Sequence, residues 1–394
     1  MRTASIPLSV PPGTVMALHC RCSSARRALS SASHASPIQP RRLFRPALVA
    51  SYQHGRRALF TETLPTVLVP PAVFLGCFLG LWSYKIIMTI VFQNKIIYMP
   101  YMPPFARSEK MDDYAAACRP VLWEEKRIRS LDGTRLSLCL GSIPPKDTPN
   151  EASGTTQQRV VILYFQGNGA SMPPRLPILT KVLRALNENP PANHPDYSIV
   201  ALSYRGFWTS KGRASQRGIE KDAQATLAWV EQNYAGAQVI LWGQSLGAGV
   251  AADLVARQLK SVSLSTNPNR QLAISGIILE TPFIGIKEML LALYPQKWLP
   301  YRYLWPFLRN WWDNEGALRS MAALKGHRRL PIQIVTAARD EIVPESQAQY
   351  LYDLCRELRL DVRRKHVHGA LHNEVPSKLD GRLAIVSFVK DVVE

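Results

Sequence analysis

A pentapeptide, GQSLG at residues 243–247, places Ser245 between two glycines where one apolar pattern gives way to another. The run VILW at 239–242 has the pattern of a short buried strand, and residues 246–259 have that of an amphipathic helix. A G-x-S-x-G sequence between a strand and a helix is typical of a nucleophilic serine, because the sharp turn between them exposes the hydroxyl above the sheet. We therefore predict that Ser245 is a nucleophile, with an ordinary glycine-rich turn as the alternative.

An attacking serine needs a base that takes its proton and a carboxylate that orients the base. In the strand–turn–helix setting the chain order is serine, acid, histidine. Asp340 follows an apolar strand pattern at 332–336, and His372 lies in a loop beyond the next strand pattern. Since loops after parallel strands meet at one edge of the sheet, we predict Asp340 as the acid and His372 as the base. Glu341 and His368 are the alternatives for these two roles.

Acyl transfer also requires hydrogen-bond donors for the negative charge that develops on the carbonyl oxygen. The backbone N–H of Leu246, directly after the serine, is one candidate donor for this oxyanion hole. The second is predicted in the sequence FQGNG at 165–169, which follows an early central strand and offers Asn168. A plain strand-end turn is the alternative, because Gly-Asn-Gly is good turn sequence in any context.

The elements that must position these residues are an alternation of strands and helices. Near-continuous apolar runs are typical of parallel strands that are covered on both faces, and amphipathic stretches lie between them. We therefore predict an α/β fold with a doubly wound, mostly parallel sheet, which begins with an antiparallel hairpin at 124–140. The predicted parallel strands are residues 160–165, 198–203, 239–242, 274–279 and 332–336.

The N-terminal part has a different composition. Residues 1–61 contain nine Arg and no Lys, Asp or Glu, which is typical of a mitochondrial targeting segment; a disordered basic tail, or a true start at Met16, is the alternative. The apolar run 64–92 is long enough to cross a ~30 Å hydrocarbon core as a transmembrane helix, with a buried core helix as the alternative. The expected domains are thus a leader at 1–61, an anchor at 64–92 and a catalytic domain at 121–394.

Charge and motifs exclude several other classes of function. The formal charge is +19, but nearly half of it lies within residues 1–61 and the rest is spread along the chain. No zinc-finger or RNA-recognition pattern accompanies this charge, so we expect no nucleic-acid partner. No metal-ligand or nucleotide-phosphate motif stands out, and we expect no cofactor.

Residues 284–325 interrupt the strand pattern and are rich in Trp, Tyr and Phe. We predict that they form a cap over the site. Aromatic side chains favour membrane interfaces and also line apolar pockets, and they pack equally well in a core. The sequence therefore leaves open whether these aromatics line a pocket, contact a bilayer or pack the cap itself.

Several motifs together resemble the membrane-anchored α/β-hydrolase-domain proteins of the bud-emergence type, from about residue 123 to the C-terminus. The resemblance implies the α/β-hydrolase fold and hydrolysis of an ester, thioester or amide through an acyl-enzyme, on a lipid or an acylated substrate. One departure is Gln166, where that family usually has His. The matching motifs are YRGFWTSKGRASQRGIEKDA at 204–223, the elbow, ETPF at 280–283, WDN at 312–314, DEIVP at 340–344 and GALH at 369–372.

The leading hypothesis is therefore a single-pass membrane serine hydrolase whose partners are the lipid bilayer and an acyl-bearing small molecule, lipid or protein. A catalytically silent scaffold with the same fold and a serine peptidase are the alternatives. Two locations fit the N-terminal segments. A signal anchor behind a positive leader predicts the endoplasmic reticulum with the hydrolase in the lumen, and a cleaved targeting segment predicts a mitochondrial membrane.

Overall fold

Eight strands form one sheet in the order β1-β2-β4-β3-β5-β6-β7-β8. The structure, a computed structural model, describes residues 65–144, 158–188, 194–264, 274–324 and 330–394, and the predicted leader at 1–61 lies outside the described residues. Strand β2 is antiparallel to both of its neighbours, and every other neighbouring pair is parallel. The strands are β1 Leu122–Arg129, β2 Arg135–Ser142, β3 Arg159–Phe165, β4 Asp196–Ser203, β5 Gln238–Gln244, β6 Ile274–Glu280, β7 Ile332–Ala337 and β8 Val362–Val367.

Helices cover both faces of this sheet. Because successive side chains of a strand point to opposite faces, each central strand contributes to two separate apolar clusters; in β3, Leu163 belongs to one cluster and Tyr164 to the other. The doubly wound, mostly parallel fold predicted from the apolar runs is thereby confirmed. The helices are α1 Val69–Val91, α2 Gln93–Tyr98, α3 Ala115–Cys118, α4 Leu176–Leu186, α5 Gln216–Asn233, α6 Leu246–Ser263, α7 Ile286–Leu293, α8 Asn314–Ala323, α9 Glu345–Glu357 and α10 Leu379–Val393.

The two faces of the sheet carry different helices. Helices α5, α6, α8 and α9 pack on the cluster that contains Leu163, whereas α3, α4 and α10 pack on the cluster that contains Tyr164. Tyr164 and Trp242 stack edge to face on this second side, with ring centroids 5.1 Å apart. Burial on both faces fixes the carboxyl ends of the strands, from which the candidate functional loops extend.

One helix among the described residues is long and apolar enough to cross a membrane. It covers 26 residues, Thr66–Val91, and has a mean hydropathy of 1.7. None of these residues is buried. It includes α1 and lies within the apolar run at 64–92. A prediction of a membrane anchor is therefore compatible with the fold.

The residues that follow this helix pack against the sheet domain. Helix α2 comes directly after α1, and the side chain of Tyr98 at its end is 0% exposed. Cys118, at the end of α3, is also buried. The sequence predicts a catalytic domain from residue 121, and Tyr98 and Cys118 are buried residues that precede this boundary.

The cap lies between β6 and β7. It consists of α7, two 3-10 turns at Pro300–Tyr303 and Trp305–Phe307, and α8. Its aromatic side chains differ in burial, since Trp312 is 1% exposed and Trp298 is 76% exposed. The cap therefore has a packed inner part and an apolar outer face.

Candidate active site

Ser245 lies in the turn between β5 and α6 with a backbone φ of 51°, a value that residues other than glycine rarely adopt. The turn is held by a 2.8 Å hydrogen bond from Ser245 N to the carbonyl of Glu280. A side chain at Gly247 would overlap the carbonyl of Phe165, and one at Gly243 would overlap the carbonyl of Gly247. Both glycines of the motif are thus required by close backbone contacts, as the elbow geometry demands.

Asp340 and His372 form a buried pair. His372 Nδ1 lies 2.8 Å from Asp340 Oδ2 and 2.9 Å from Oδ1, and the two side chains are 2% and 7% exposed. The carboxylate is held in turn by the backbone N–H groups of Ile342 and Val343, which donate to Oδ1 over 2.9 and 2.8 Å. This arrangement orients the imidazole and favours the tautomer with the proton on Nδ1.

The two alternatives for acid and base have other contacts. Glu341 accepts a 3.0 Å hydrogen bond from the backbone N–H of His372, so it supports the histidine loop and not the imidazole. His368 is exposed and lies edge to face with His366 at 5.5 Å. His366 in turn contacts Thr336 Oγ1 over 2.9 Å. The structure therefore brings His372, and not His368, to Asp340.

The other imidazole nitrogen, His372 Nε2, is buried and has no hydrogen-bond partner among the described residues. The structure records no hydrogen bond between it and Ser245. The serine turn and the histidine loop are nevertheless joined by residues adjacent to Ser245 and His372. Gln244 Nε2 donates to Asn373 Oδ1 over 2.7 Å. Arg175 donates to the same oxygen over 2.9 Å. A nitrogen lone pair and a serine hydroxyl are thus held at the same edge of the sheet, as general-base catalysis requires.

The two candidate oxyanion donors line one cavity with Ser245. Leu246 is the first residue of α6, so its N–H has no acceptor within the helix, and neither it nor Asn168 N has an acceptor among the described residues. The loop of Asn168 is fixed on both sides. Gly169 N donates to the carbonyl of Tyr98 over 2.9 Å, and the hydroxyl of Tyr204 donates to the carbonyl of Gln166 over 2.8 Å.

The side chain of Gln166, the residue that departs from the family motif, is buried without partners. It is 2% exposed, and both its Oε1 and Nε2 atoms lack a hydrogen bond among the described residues. A buried amide of this kind costs free energy. Only the backbone of Gln166 takes part in holding the loop.

Glu280, at the end of β6, is a buried carboxyl beside the elbow. Its Oε2 accepts a 2.8 Å hydrogen bond from Trp242 Nε1. Burial raises the pKa of Glu280 to about 7, although the Arg175 charge and the Trp242 hydrogen bond oppose this shift. The carboxyl lies on the sheet face that contains Tyr164. The sequence analysis does not predict its burial beside the elbow.

A cavity of about 500 Å³ begins at Ser245, within the range of roughly 300–1,000 Å³ that is common for ligand sites. Ile342 and Val343 from the acid loop and residues of the cap form part of its wall. None of the described residues that line it is charged. The remaining wall comes from the end of α1 and from α2, which the sequence did not predict.

Two of the shared motifs have structural roles. In the motif at 204–223, Arg205 is paired with Asp222 and Asp132 over 2.7 and 2.8 Å, and a side chain at Gly218 would collide with its guanidinium stem. In the cap, Asp313 accepts from Gly316 N over 2.8 Å and so caps the start of α8. Among the residues that the structure describes, no three His, Cys, Asp or Glu side chains are grouped as metal ligands are.

Comparison with known proteins gives relatives in one group. No protein-family model matches the chain. The chain is 29% identical to Protein bem46 of Schizosaccharomyces pombe over 52% of this chain and 58% of that protein. It is 28% identical to the α/β hydrolase domain-containing protein WAV2 of Arabidopsis thaliana, over 71% and 81%. It is 33% identical to the lysophosphatidylserine lipase ABHD12 of Danio rerio, over 50% and 47%. The chain thus spans about half the length of bem46 and of ABHD12.

A solved structure shares the fold. The α/β hydrolase from Vibrio vulnificus superimposes with a TM-score of 0.52 at 16% identity, over 77% of this chain and 91% of that one. The sheet order, the serine elbow and these similarities define the α/β-hydrolase fold. In sequence, the chain is similar to the α/β-hydrolase-domain proteins of the bem46 type, whose motifs it shares.

Proposed function

We propose that this chain is a membrane-anchored serine hydrolase that cleaves an ester, thioester or amide bond of an acyl-bearing substrate. The observation that carries the proposal is the buried Asp340–His372 pair, which leaves Nε2 of the imidazole unpaired at the edge where the elbow presents Ser245. A serine, a base and an orienting acid in this chain order are what nucleophilic acyl transfer requires.

The reaction proceeds through an acyl-enzyme. His372 Nε2 takes the proton of the Ser245 hydroxyl while Oγ attacks the acyl carbonyl carbon, and Asp340 stabilises the imidazolium that forms. The N–H groups of Leu246 and Asn168 donate to the oxyanion. The carbon–leaving-group bond then breaks, and His372 gives its proton to the leaving group. Water attacks the acyl-enzyme, its proton passing through His372 back to Oγ, and the carboxylic acid is released.

The cavity supports an acyl chain as the bound part of the substrate. Its walls carry mostly apolar side chains, and the described lining residues include no charged group; apolar walls of this kind bind hydrocarbon by the hydrophobic effect. The relative ABHD12 is named as a lysophosphatidylserine lipase, which agrees with a lipid or acylated substrate here. The apolar helix at Thr66–Val91 supports single-pass anchoring in the bilayer that would supply such a substrate.

The experiment that tests this function is covalent labelling of the detergent-extracted full chain with a fluorophosphonate probe. We expect strong labelling of wild type and loss of labelling in Ser245→Ala. Ser263→Ala, at the far end of the same helix α6, is the matched control and should be labelled as wild type is. Folding of each protein is checked by its thermal unfolding.

The results also separate the alternatives. A folded wild type without labelling would contradict the proposal and favour a scaffold of the same fold. Labelling that is lost in Ser245→Ala, together with faster cleavage of peptides than of acyl esters, would favour a peptidase. Labelling together with faster cleavage of acyl esters supports the function proposed.

A further inference from the structure

The cavity at Ser245 has walls that come from two distant parts of the chain. One wall belongs to the cap and includes Met289, Leu290 and Phe307. Another wall is the end of the membrane-length helix and the helix that follows it. Its lining residues are Thr89, Ile90, Gln93, Ile96, Ile97 and Met99.

Hydrogen bonds fix this helix end to the cap. Gln93 Nε2 donates to the carbonyl of Phe307 over 3.0 Å, and the backbone N–H of Arg309 donates to Gln93 Oε1 over 2.7 Å. The Arg309 guanidinium donates to the carbonyls of Ile90 and Val91, each over 2.9 Å. A cation at the free carbonyls of a helix C-terminus is favourable. The two walls are therefore joined at a defined distance from each other.

A second, buried junction lies one turn further along. The hydroxyl of Tyr98 donates to Asn310 Oδ1 over 2.9 Å and accepts from Trp312 Nε1 over 3.0 Å. Asn310 also donates to Asn94 over 2.6 Å. Tyr98, Asn310 and Trp312 are each at most 1% exposed. Buried hydrogen bonds thus hold the helix end in place as a wall of the cavity.

The length of the helix indicates where the cavity lies relative to a bilayer. A helix of 26 residues is ~39 Å long at ~1.5 Å per residue, against a ~30 Å hydrocarbon core. Its last turn, which carries Thr89 and Ile90, can therefore reach the interface. The outer face of the cap beside it exposes Trp298, Tyr303 and Trp305, and Lys287 lies over the Trp305 ring at 4.8 Å. Aromatic and basic side chains together are typical of membrane interfaces.

We propose that the end of the membrane-length helix is a specificity-determining wall of the acyl-binding cavity, so that Ile90 and its neighbours limit the length of the lipid acyl chain presented to Ser245. This inference rests on the proposed serine hydrolase function. The helix then has two roles, since it anchors the chain and shapes the site. The occupant is the acyl chain of a bilayer lipid, because the wall is mostly apolar and lies where the helix leaves the hydrocarbon core.

The experiment compares hydrolysis of p-nitrophenyl palmitate with that of p-nitrophenyl butyrate by the full chain in lipid nanodiscs. Ile90→Trp narrows the cavity from the helix wall, and Met289→Trp narrows it from the cap wall. We expect the palmitate-to-butyrate rate ratio to fall by roughly tenfold or more in both, because even two methylene groups excluded from an apolar wall account for that much. Ile87→Trp is the matched control, since Ile87 lies on the same helix, is 57% exposed and does not line the cavity.

Fluorophosphonate labelling separates the outcomes. A fall in the ratio for Ile90→Trp and Met289→Trp, but not for Ile87→Trp, supports the inference. If the labelled Ile90→Trp protein keeps the ratio of Ile87→Trp while Met289→Trp changes it, the cap alone sets chain length and the inference is wrong. If Ile90→Trp is not labelled, Ile90→Ala decides, because it widens the same wall and must raise the ratio above that of wild type. A folded but unlabelled wild type would instead overturn the proposed function and this inference with it.

Discussion

The backbone N–H of Gly169 donates a 2.9 Å hydrogen bond to the carbonyl of Tyr98, and this bond joins the loop of the candidate oxyanion donor to the segment after the membrane-length helix. Tyr98 is also bonded through its hydroxyl to the cap. The same residue therefore holds three parts of the site together. The segment at 93–98 is therefore hydrogen-bonded into the sheet domain and is more than a tether.

Tyr98→Phe should lower the free energy of unfolding by about 1–3 kcal/mol, because it leaves the buried Trp312 Nε1 donor without an acceptor. Tyr101→Phe is the matched control, since Tyr101 is 45% exposed and its hydroxyl remains accessible to water. Denaturant unfolding of both variants in detergent measures the difference. Equal stability of the two variants would show that the buried junction contributes little.

The Asp340–His372 pair predicts different results for the two neighbouring acids. In Asp340→Asn the amide oxygen can still accept from the backbone of residues 342 and 343, but its NH₂ group cannot accept the proton on His372 Nδ1. The imidazole then favours the wrong tautomer, and we expect the rate of fluorophosphonate labelling to fall by up to about 10⁴-fold. Glu341→Gln keeps an oxygen that can accept from His372 N, so its rate should stay within about tenfold of wild type. A larger loss in Glu341→Gln than in Asp340→Asn would contradict these roles.

The sequence predicts the parts of the site that depend on local pattern. The elbow at Ser245 is recognised because a strand pattern, two glycines and a helix pattern follow each other within a few residues. Asp340 and His372 are predicted as acid and base because they follow strands whose ends share one edge of the sheet. Gln244 occupies a variable position of the same motif, and its bond to Asn373, 129 positions away, leaves no local sequence signal.

The contacts between the helix end and the cap could not be predicted from the sequence. Asn94 and Asn310 are 216 positions apart in the chain, and no periodicity in either segment indicates that they meet. Gln93 is a polar residue directly after an apolar run. From the sequence it could equally be the solvated end of a membrane helix or a residue that binds the cap. The aromatics of the cap could not be assigned for the same reason, because burial of Trp312 and exposure of Trp298 depend on tertiary contacts that composition does not specify.

Glu280 should make stability depend on pH. Because burial raises its pKa from 4.5 to about 7 in the folded protein, the folded state retains a proton that the unfolded state has lost. Its contribution is therefore fully present below about pH 4.5 and is lost as the pH rises to about 7. The loss amounts to about 3 kcal/mol at ~1.4 kcal/mol per pKa unit.

Glu280→Gln removes this titration and can still accept from Trp242 through its amide oxygen. We expect wild type to lose stability relative to Glu280→Gln between pH 5 and pH 8, measured as the difference in unfolding free energy. Glu357→Gln, the same substitution at an exposed position, is the matched control. A flat difference for Glu280→Gln across this range would mean that the carboxyl titrates normally.

Replacement by Met should change the free energy of unfolding in opposite directions at Gln166 and at Gln244, whose side-chain amides are both buried. Gln166→Met removes an amide that has no partner among the described residues, so it should raise the free energy of unfolding by about 1–3 kcal/mol. Gln244→Met breaks the bonds to Tyr164, Gly167 and Asn373 and should lower it by a similar amount. Denaturant unfolding of the two variants beside wild type gives both signs in one experiment. A loss of stability in Gln166→Met would show that its amide is hydrogen-bonded in the folded protein, and the loop before Asn168 would then be held by that side chain as well as by its backbone.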